Sequence, residues 1–82
     1  VMPAGKSTAP VVTMMNQAMM QGMMDPDPAK AWMKSMAAHH RGAIEMSQII
    51  MRHTKNAEVL AEARKTVDDN QRALTELQAK MR

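Results

Sequence analysis

The longest periodic pattern in the chain follows the run Asp-Pro-Asp-Pro at residues 25–28 and continues to about residue 54. At about 100° per residue, its apolar residues and histidines fall on one arc roughly 200° wide, which is typical of an amphipathic helix. That arc holds Trp32, Met33, Met36, Ala37, His39, His40, Ala43, Ile44, Met46, Ser47, Ile50, Met51 and His53. Asp27 is a good N-cap and Pro28 suits the first helical position, so a helix over 28–54 is predicted.

A second long helix is predicted over about 57–81, after a turn at Lys55 and Asn56, with Asn56 as its N-cap. Its apolar seam has spacings of three and four residues, as in antiparallel bundles. The seam consists of Leu60, Ala63, Val67, Asn70, Leu74, Leu77 and Met81, and only one member is polar. Residues facing each other across the hairpin then have numbers that sum to about 111, which places His40 opposite Asn70 and Gln71. One of these two side chains is therefore expected to orient His40, unless the polar pair only fixes the register of the hairpin.

The segment before this hairpin is rich in methionine. Residues 13–24 contain six methionines in three doublets, and with Thr13 as a cap they predict a short helix over 13–24. Residues 1–12 lack periodicity and are expected to form a disordered arm or linker. The predicted fold is all-α, with one domain over 13–82 in which a hairpin of two long antiparallel helices follows a short methionine-rich helix.

Composition limits the core and the function classes. The 82 residues include no cysteine, tyrosine or phenylalanine and a single tryptophan, so the core is thin. The apolar arc is also wider than one antiparallel neighbour can cover, which predicts a homodimer completing a four-helix bundle. The formal net charge is +3, but positive and negative residues are mixed along the chain, which argues against nucleic-acid binding. No apolar run is long enough to span a membrane. The lack of cysteine excludes disulfides and thiolate metal sites and suits an oxidising compartment.

The candidate chemistry is soft-metal binding by thioether and imidazole groups. Met36 and His39 are three residues apart on one side of the middle helix, with His40 on its flank. Met46 and His53 continue the same stripe. Thioether sulfur favours Cu(I), for which Ag(I) is a chemical mimic, and imidazole accepts copper in either oxidation state. The sequence has no Glu-x-x-His pair, so a di-iron oxidase is not expected. It also has no recognisable set of acid–base residues, so an enzyme is not expected.

The methionine doublets provide a second set of sulfur donors. Met15, Met19 and Met23 recur every four residues, with Met20 and Met24 beside them, so two or three thioethers could surround one Cu(I). The alternative is a promiscuous apolar docking surface, because methionine also fills irregular contacts.

Less specific roles remain open for several of these residues. Met33, Met51 and Met81 are more typical of packing, and His39 with His40 could be one satisfied core histidine and one surface histidine. His53 near a helix C-terminus could simply favour the helix dipole. A helical protein-interaction module with structural histidines is therefore the alternative function.

The run DPDPAKAWMKSMAAHHRGAIEMSQII closely resembles the signature of the bacterial family catalogued as domain of unknown function 305. The positions that match it are Asp27, Trp32, Met36, His39, His40, Gly42, Ala43, Ile44, Glu45 and Met46. Some members of that family are periplasmic proteins that bind copper or confer copper tolerance. The resemblance implies metal binding through Met36, His39, His40 and Met46, and a function in copper sequestration, tolerance or delivery.

Departures from the family pattern are local. Ala38 stands where a Pro is frequent and Arg41 where a Gln is frequent, while Asn70 and Leu77 replace a usual Gln and Met. Members often carry two copies of the unit in one ferritin-like bundle, and this chain has one, so a second chain would complete the bundle. The resemblance implies a periplasmic or secreted protein. No signal peptide is visible in the sequence, so a mature form or a fragment of a longer protein is expected.

Overall fold

The computed structural model describes residues 8–81, which form three α-helices and no strand. Helix α1 spans Ala9–Met23, α2 spans Pro28–His53 and α3 spans Ala57–Met81. The prediction of an all-helical chain with a short first helix and two long following helices is confirmed.

Helix α1 begins four residues earlier than predicted. Thr8 occupies the N-cap position without a side-chain capping bond, and the hydroxyl of Thr13 donates to the carbonyl oxygen of Ala9 within the helix. The expected cap at Thr13 and the expected irregular segment at 9–12 are therefore wrong. Pro10 lies in the first turn, where its missing N–H costs nothing, and the helix extends through it. Residues 1–7 of the predicted arm lie outside the described residues.

The caps of the two long helices are those predicted. Asp27 Oδ1 accepts hydrogen bonds from the backbone N–H groups of Ala29 at 2.9 Å and Lys30 at 3.3 Å. Asn56 Oδ1 accepts from Glu58 N at 3.0 Å and Val59 N at 3.2 Å. Each cap satisfies two N–H groups that the first helical turn leaves without a partner. These residues therefore fix the starts of α2 and α3.

The three helices lie side by side in one layer, with α2 in the middle. On one side of α2, the Ser35 hydroxyl donates to the Met19 carbonyl of α1 at 3.0 Å, while His40 contacts Asn70 of α3 on the other side. Ser35 and His40 are five residues apart, which corresponds to about 140° around α2. Helices α1 and α3 therefore lie on different sides of α2 and hardly touch each other. The Cα atoms extend over 43 × 27 × 14 Å, which is the shape of a single layer.

Small residues let α1 approach α2 closely. Gly22 is buried, and a Cβ atom added there would lie 3.0 Å from both the Ser35 nitrogen and the Lys34 Cβ. Gly42 lies under Met15, whose Cβ would be 2.9 Å from an added Cβ. Gly22 is therefore a packing residue of the α1–α2 contact.

A single layer leaves little room for an enclosed core. The buried apolar residues are Ala31, Ala37, Ala38, Ile44, Ala63 and Leu77. No large side chain among the described residues is fully buried. Two surfaces of α2 therefore remain uncovered by α1 and α3. One is charged and polar, with Lys34, Arg41, Gln48 and Arg52. The other is called the open face here and consists of Trp32, Met36, His39, Ala43, Met46 and Ile50.

An ion pair joins the turn after α1 to the second helix. Lys34 Nζ donates to Asp25 Oδ2 at 2.6 Å, and Asp27 N donates to Asp25 Oδ1 at 2.9 Å. The Lys34 ammonium, followed by the Asp27 N–H, holds the pKa of the Asp25 carboxyl below its ordinary value. In the part of the chain that the structure describes, no helix has the length and apolar character needed to cross a membrane.

Candidate metal-binding site

His40 is held in one orientation by α3. Its Nδ1 atom lies 2.7 Å from Asn70 Oδ1, and Asn70 Nδ2 donates to the Thr66 carbonyl oxygen at 2.8 Å. The second bond fixes which end of the amide faces the imidazole. Because Asn70 Oδ1 can only accept, Nδ1 of His40 carries the hydrogen, and in the neutral imidazole Nε2 then has the lone pair.

The hydrogen bond between α2 and α3 agrees with the prediction that Asn70 or Gln71 orients His40. Asn70 is the partner, whereas Gln71 is exposed and makes no hydrogen bond to His40. A neutral imidazole whose second nitrogen is tied to an acceptor is the form in which histidine binds metal ions. The geometry of His40 is therefore that of a ligand ready for an ion at Nε2.

Met36 and Trp32 lie beside His40 in a groove between α2 and α3. From α3 the groove is lined by Ala73, Glu76, Leu77 and Lys80. Met36 is four residues before His40 and half-buried, so its sulfur and the imidazole lie on neighbouring turns of one helix. The groove thus combines a thioether and an imidazole with two opposite charges, the carboxylate of Glu76 and the ammonium of Lys80.

Sequence reasoning missed Glu76 as a groove residue. The hairpin register indicates its position, because facing residues of α2 and α3 have numbers that sum to about 111. Glu76 therefore lies opposite residue 35, at a level between Met33 and Met36. Its position at the groove follows from pairing the two long helices and not from either helix alone.

His39 lies on the open face, next to His40 in sequence but on a different side of α2. The two ring centroids are 5.9 Å apart and the ring planes meet at 78°, an edge-to-face arrangement. His39 is exposed, while His40 is half-buried against α3. The two imidazoles are thus close neighbours with different environments, and Met36 is within one turn of both.

Met46 and His53 are not brought to the histidine pair. Met46 is seven residues beyond His39, about 10.5 Å along the helix axis, and His53 is fourteen residues beyond it, about 21 Å. Met46 is half-buried, and His53 is the exposed last residue of α2. One ion bound at Met36, His39 and His40 therefore cannot also contact Met46 of the same chain.

The five predicted methionine ligands of the first helix divide into two groups. Met15 packs over Gly42, and Met19 is half-buried beside Ser35, so both belong to the α1–α2 contact. Met20, Met23 and Met24 are 66%, 65% and 78% exposed, respectively. They are spaced three and four residues apart at the end of α1, so their thioethers can converge without α2.

Carboxylate-rich metal sites are not found among the described residues. Over residues 8–81, no three histidine, aspartate or glutamate side chains converge in a way that could hold a metal ion. Glu45, the acidic residue nearest to the histidines in sequence, lies with Met14 and Met15 in a groove on the α1 side of α2. An ion at His40 would therefore depend on sulfur ligands or on ligands from outside the described chain.

The comparisons with known proteins give one match. Residues 2–81 match a family described as "Domain of unknown function (DUF305)". This match agrees with the resemblance carried by the run from Asp25 to Ile50. Neither a curated protein nor a solved structure matches the chain.

Proposed function

The chain belongs to the DUF305 family, and we propose that it binds a soft metal ion, Cu(I) above all, in copper sequestration, tolerance or delivery. The description of the family assigns no function, so the proposal rests on the site. The observation that carries it is the fixed orientation of His40, which lines one groove together with Met36.

The donor types favour a soft ion. A thioether is a weak ligand for borderline ions such as Zn(II) and a good one for Cu(I), and imidazole binds both. Met36, His39 and His40 supply one thioether and two imidazoles within little more than one turn of α2. Ag(I) has the same preference for sulfur and is the natural probe of this site.

A second soft-metal site is proposed at the end of α1. Met20, Met23 and Met24 are exposed, and their spacing allows three thioethers to surround one ion. This site would contain no titrating ligand, whereas the histidine site would. The other two predicted methionines, Met15 and Met19, are assigned to packing.

The protein is proposed to act by binding and not by catalysis, in the periplasm or as a secreted protein. The ferritin-like arrangement implied by the resemblance would require further helices, because a single chain forms only one layer. A second chain is the proposed source of those helices.

The test is a titration with Cu(I) under reducing conditions, in competition with a soft chelator. Met36→Leu removes the sulfur at nearly constant volume, and its Cu(I) affinity is expected to fall by on the order of tenfold or more. Met51→Leu is the matched control, since Met51 is half-buried on the same helix but far from His39 and His40. Absence of Cu(I) uptake by the wild-type chain would overturn the proposal.

The alternative function is a protein-interaction module with a methionine-rich docking face. Its support is the exposure of Trp32 at 60% together with that of Met20, Met23 and Met24. Such a module would bind a partner protein without Cu(I) and would be insensitive to Met36→Leu in the titration. The same experiment therefore separates the two functions.

A further inference from the structure

Three lysine side chains converge where the start of α2 meets the end of α3. They line a cavity of about 310 Å³, called the lysine cavity here. Lys30 and Lys34 are one turn apart on α2, and Lys80 belongs to the last turn of α3. The complete lining is Asp25, Lys30, Met33, Lys34, Lys80 and Met81. The cavity is therefore built by both long helices and by the turn before α2.

The hairpin register brings Lys80 to this place. Because facing residues of α2 and α3 have numbers that sum to about 111, Lys80 faces the first turn of α2, at Lys30 and Ala31. Two ammonium groups on facing helices repel each other. Within residues 8–81, neither the Lys30 nor the Lys80 ammonium makes a hydrogen bond or an ion pair. Their charge is thus available to an anion from outside the described chain.

Asp25 neutralises only one of the three lysines. Lys34 Nζ donates to Asp25 Oδ2 at 2.6 Å, yet the Lys34 side chain is 53% exposed and its ammonium has two further N–H groups to donate. The nearby carboxylate of Asp27 is occupied by the backbone N–H groups of Ala29 and Lys30 and does not line the cavity. Three ammonium groups and one carboxylate give the lining a net charge of +2.

The excess of positive charge is local to this end of α2. Arg41, further along the same surface, lines a groove together with Glu45, which offsets its charge. Arg52 lies in the last turn of α2, at the other end of the helix. Lys80 also lines the groove that contains Glu76, but no ion pair joins these two side chains among the described residues. The lysine cavity is therefore the place where unbalanced positive charge is concentrated.

The lining suits a doubly charged anion. Three ammonium groups would repel a metal ion at Met33 and Met81, so these thioethers serve as apolar walls. A phosphate group has close to two negative charges at neutral pH and several oxygens that accept hydrogen bonds. Lysine binds phosphate as a point charge and does not require the planar geometry of arginine. The charge and the donor type therefore both match phosphate.

We propose that the lysine cavity binds a phosphate group, with Lys30, Lys34 and Lys80 donating hydrogen bonds to its oxygens. The site uses none of the proposed metal ligands, so it does not depend on the proposed function. Inorganic phosphate and the headgroup of an anionic phospholipid share this chemistry, and the experiment distinguishes the two sources.

Calorimetric titration of the metal-free chain with inorganic phosphate tests the site, at low ionic strength and about pH 8, where phosphate is almost entirely a dianion. The wild-type chain should bind phosphate saturably. Lys80→Gln should weaken binding by about 5-fold to 10-fold, because one charge-assisted hydrogen bond is lost. Lys65→Gln removes the same charge from an exposed position of α3, about 22 Å along the helix, and should leave the affinity unchanged. Circular dichroism checks that both variants remain helical.

Two results of the titration would overturn the site. One is the absence of saturable binding up to about 10 mM phosphate, well above the millimolar affinity that weak anion sites reach. The other is equal weakening by Lys80→Gln and Lys65→Gln, which would show a diffuse attraction to the net charge of the chain.

Cosedimentation with vesicles identifies the source of the phosphate group. Vesicles of phosphatidylcholine alone are compared with vesicles that also contain phosphatidic acid, whose headgroup is a phosphate monoester. Binding to the second kind only, weakened by Lys80→Gln and not by Lys65→Gln, would support the site and assign it to a lipid headgroup. Saturable binding of inorganic phosphate without cosedimentation would support the site and assign it to a soluble phosphate.

Discussion

The Nδ1 atom of His40 on α2 lies 2.7 Å from the Oδ1 atom of Asn70 on α3, and a bond from Asn70 to the Thr66 carbonyl fixes the amide. The two residues are 30 positions apart in sequence. The orientation of a candidate ligand on one helix is thus set by the register of the hairpin. A change in α3 alone should therefore alter metal binding on α2.

Asn70→Leu is expected to weaken copper binding at the histidine site by about 10-fold to 100-fold, the usual effect of losing an outer partner of a metal-bound histidine. The matched control is Gln71→Leu, which changes the neighbouring exposed residue and should leave the affinity unchanged. Competition titration with a soft chelator measures both variants. Unchanged copper affinity combined with a higher melting temperature in Asn70→Leu would instead assign Asn70 to setting the hairpin register.

Metal preference gives a second prediction. Cu(I) and Ag(I) should bind far more tightly than Zn(II), because thioethers contribute little to binding a borderline ion. Replacing both Met36 and Met46 with Leu should remove most of this preference. Parallel titrations with Ag(I) and Zn(II) measure it, and equal affinities that the double substitution does not change would contradict a soft-metal site.

Acid should separate the two proposed sites. Imidazole binds metal only when neutral, whereas thioethers do not titrate. Because protons compete with the metal ion for imidazole nitrogen, binding at His39 and His40 should weaken from about pH 8 to about pH 5. Binding at Met20, Met23 and Met24 should persist. Ag(I) titrations at both ends of the range measure this, and simultaneous loss of all bound metal would contradict a separate methionine site.

Gly22→Ala tests the close contact of α1 with α2. The added Cβ would lie 3.0 Å from the Ser35 nitrogen, and overpacking of this kind costs about 1–3 kcal/mol. The higher helix propensity of alanine returns up to about 1 kcal/mol, so the free energy of unfolding should fall. Urea denaturation measures it, with Gln21→Ala as the exposed control, expected to change stability by less than about 0.5 kcal/mol. A stabilised Gly22→Ala variant would show that α1 does not pack as described.

Asp25 should make a small, pH-dependent contribution to stability. Its pKa is lowered in the folded chain, mainly by Lys34, so its contribution is fully present above the pKa of the unfolded chain. The contribution is lost as the pH falls through the lowered folded value. Asp25→Asn should therefore lower the urea midpoint slightly at neutral pH and not at all in strong acid. Asp69→Asn, at an exposed position of α3, should show no such difference.

The starts of the two long helices and the pairing between them could be predicted from sequence. Asp27 and Asn56 have the side-chain chemistry that a helix N-terminus requires, and the signal is local. Pairing the apolar seam of α3 with the apolar residues of α2 then gives a single register for the hairpin. In that register His40 lies opposite Asn70. Both kinds of signal depend on a few adjacent residues and do not require knowledge of the remaining fold.

The placement of α1 could not be predicted in the same way. Its start was expected at Thr13 because Pro10 and the small residues before it indicate irregular structure, yet proline is compatible with a first helical turn. Its contact with α2 is made by Gly22 and Gly42, which leave no periodic pattern. Close approach of backbones is a property of two helices together, so neither segment alone indicates it.

The roles of the methionines were equally ambiguous in the sequence. Met15 and Met23 belong to the same four-residue repeat, but the first packs over Gly42 and the second is 65% exposed. The difference arises because eight residues turn a side chain by about 80° around the helix, so Met23 lies off the side on which Met15 and Gly22 contact α2. A thioether has the same helix propensity and hydrophobicity in either setting, so only the structure distinguishes packing from a free donor.

The layered arrangement has a consequence for the order in which the chain opens. Because α1 and α3 contact α2 and hardly contact each other, α1 can separate while the α2–α3 hairpin and its His40–Asn70 bond remain intact. Amide hydrogens of α1 should then exchange with solvent faster than those in the middle of α2, as expected for a separate unit of local unfolding. Because the turn at 24–27 tethers α1, the N-terminal end of the helix would move furthest, while Met20 and Met23 next to the turn would stay close to the folded hairpin.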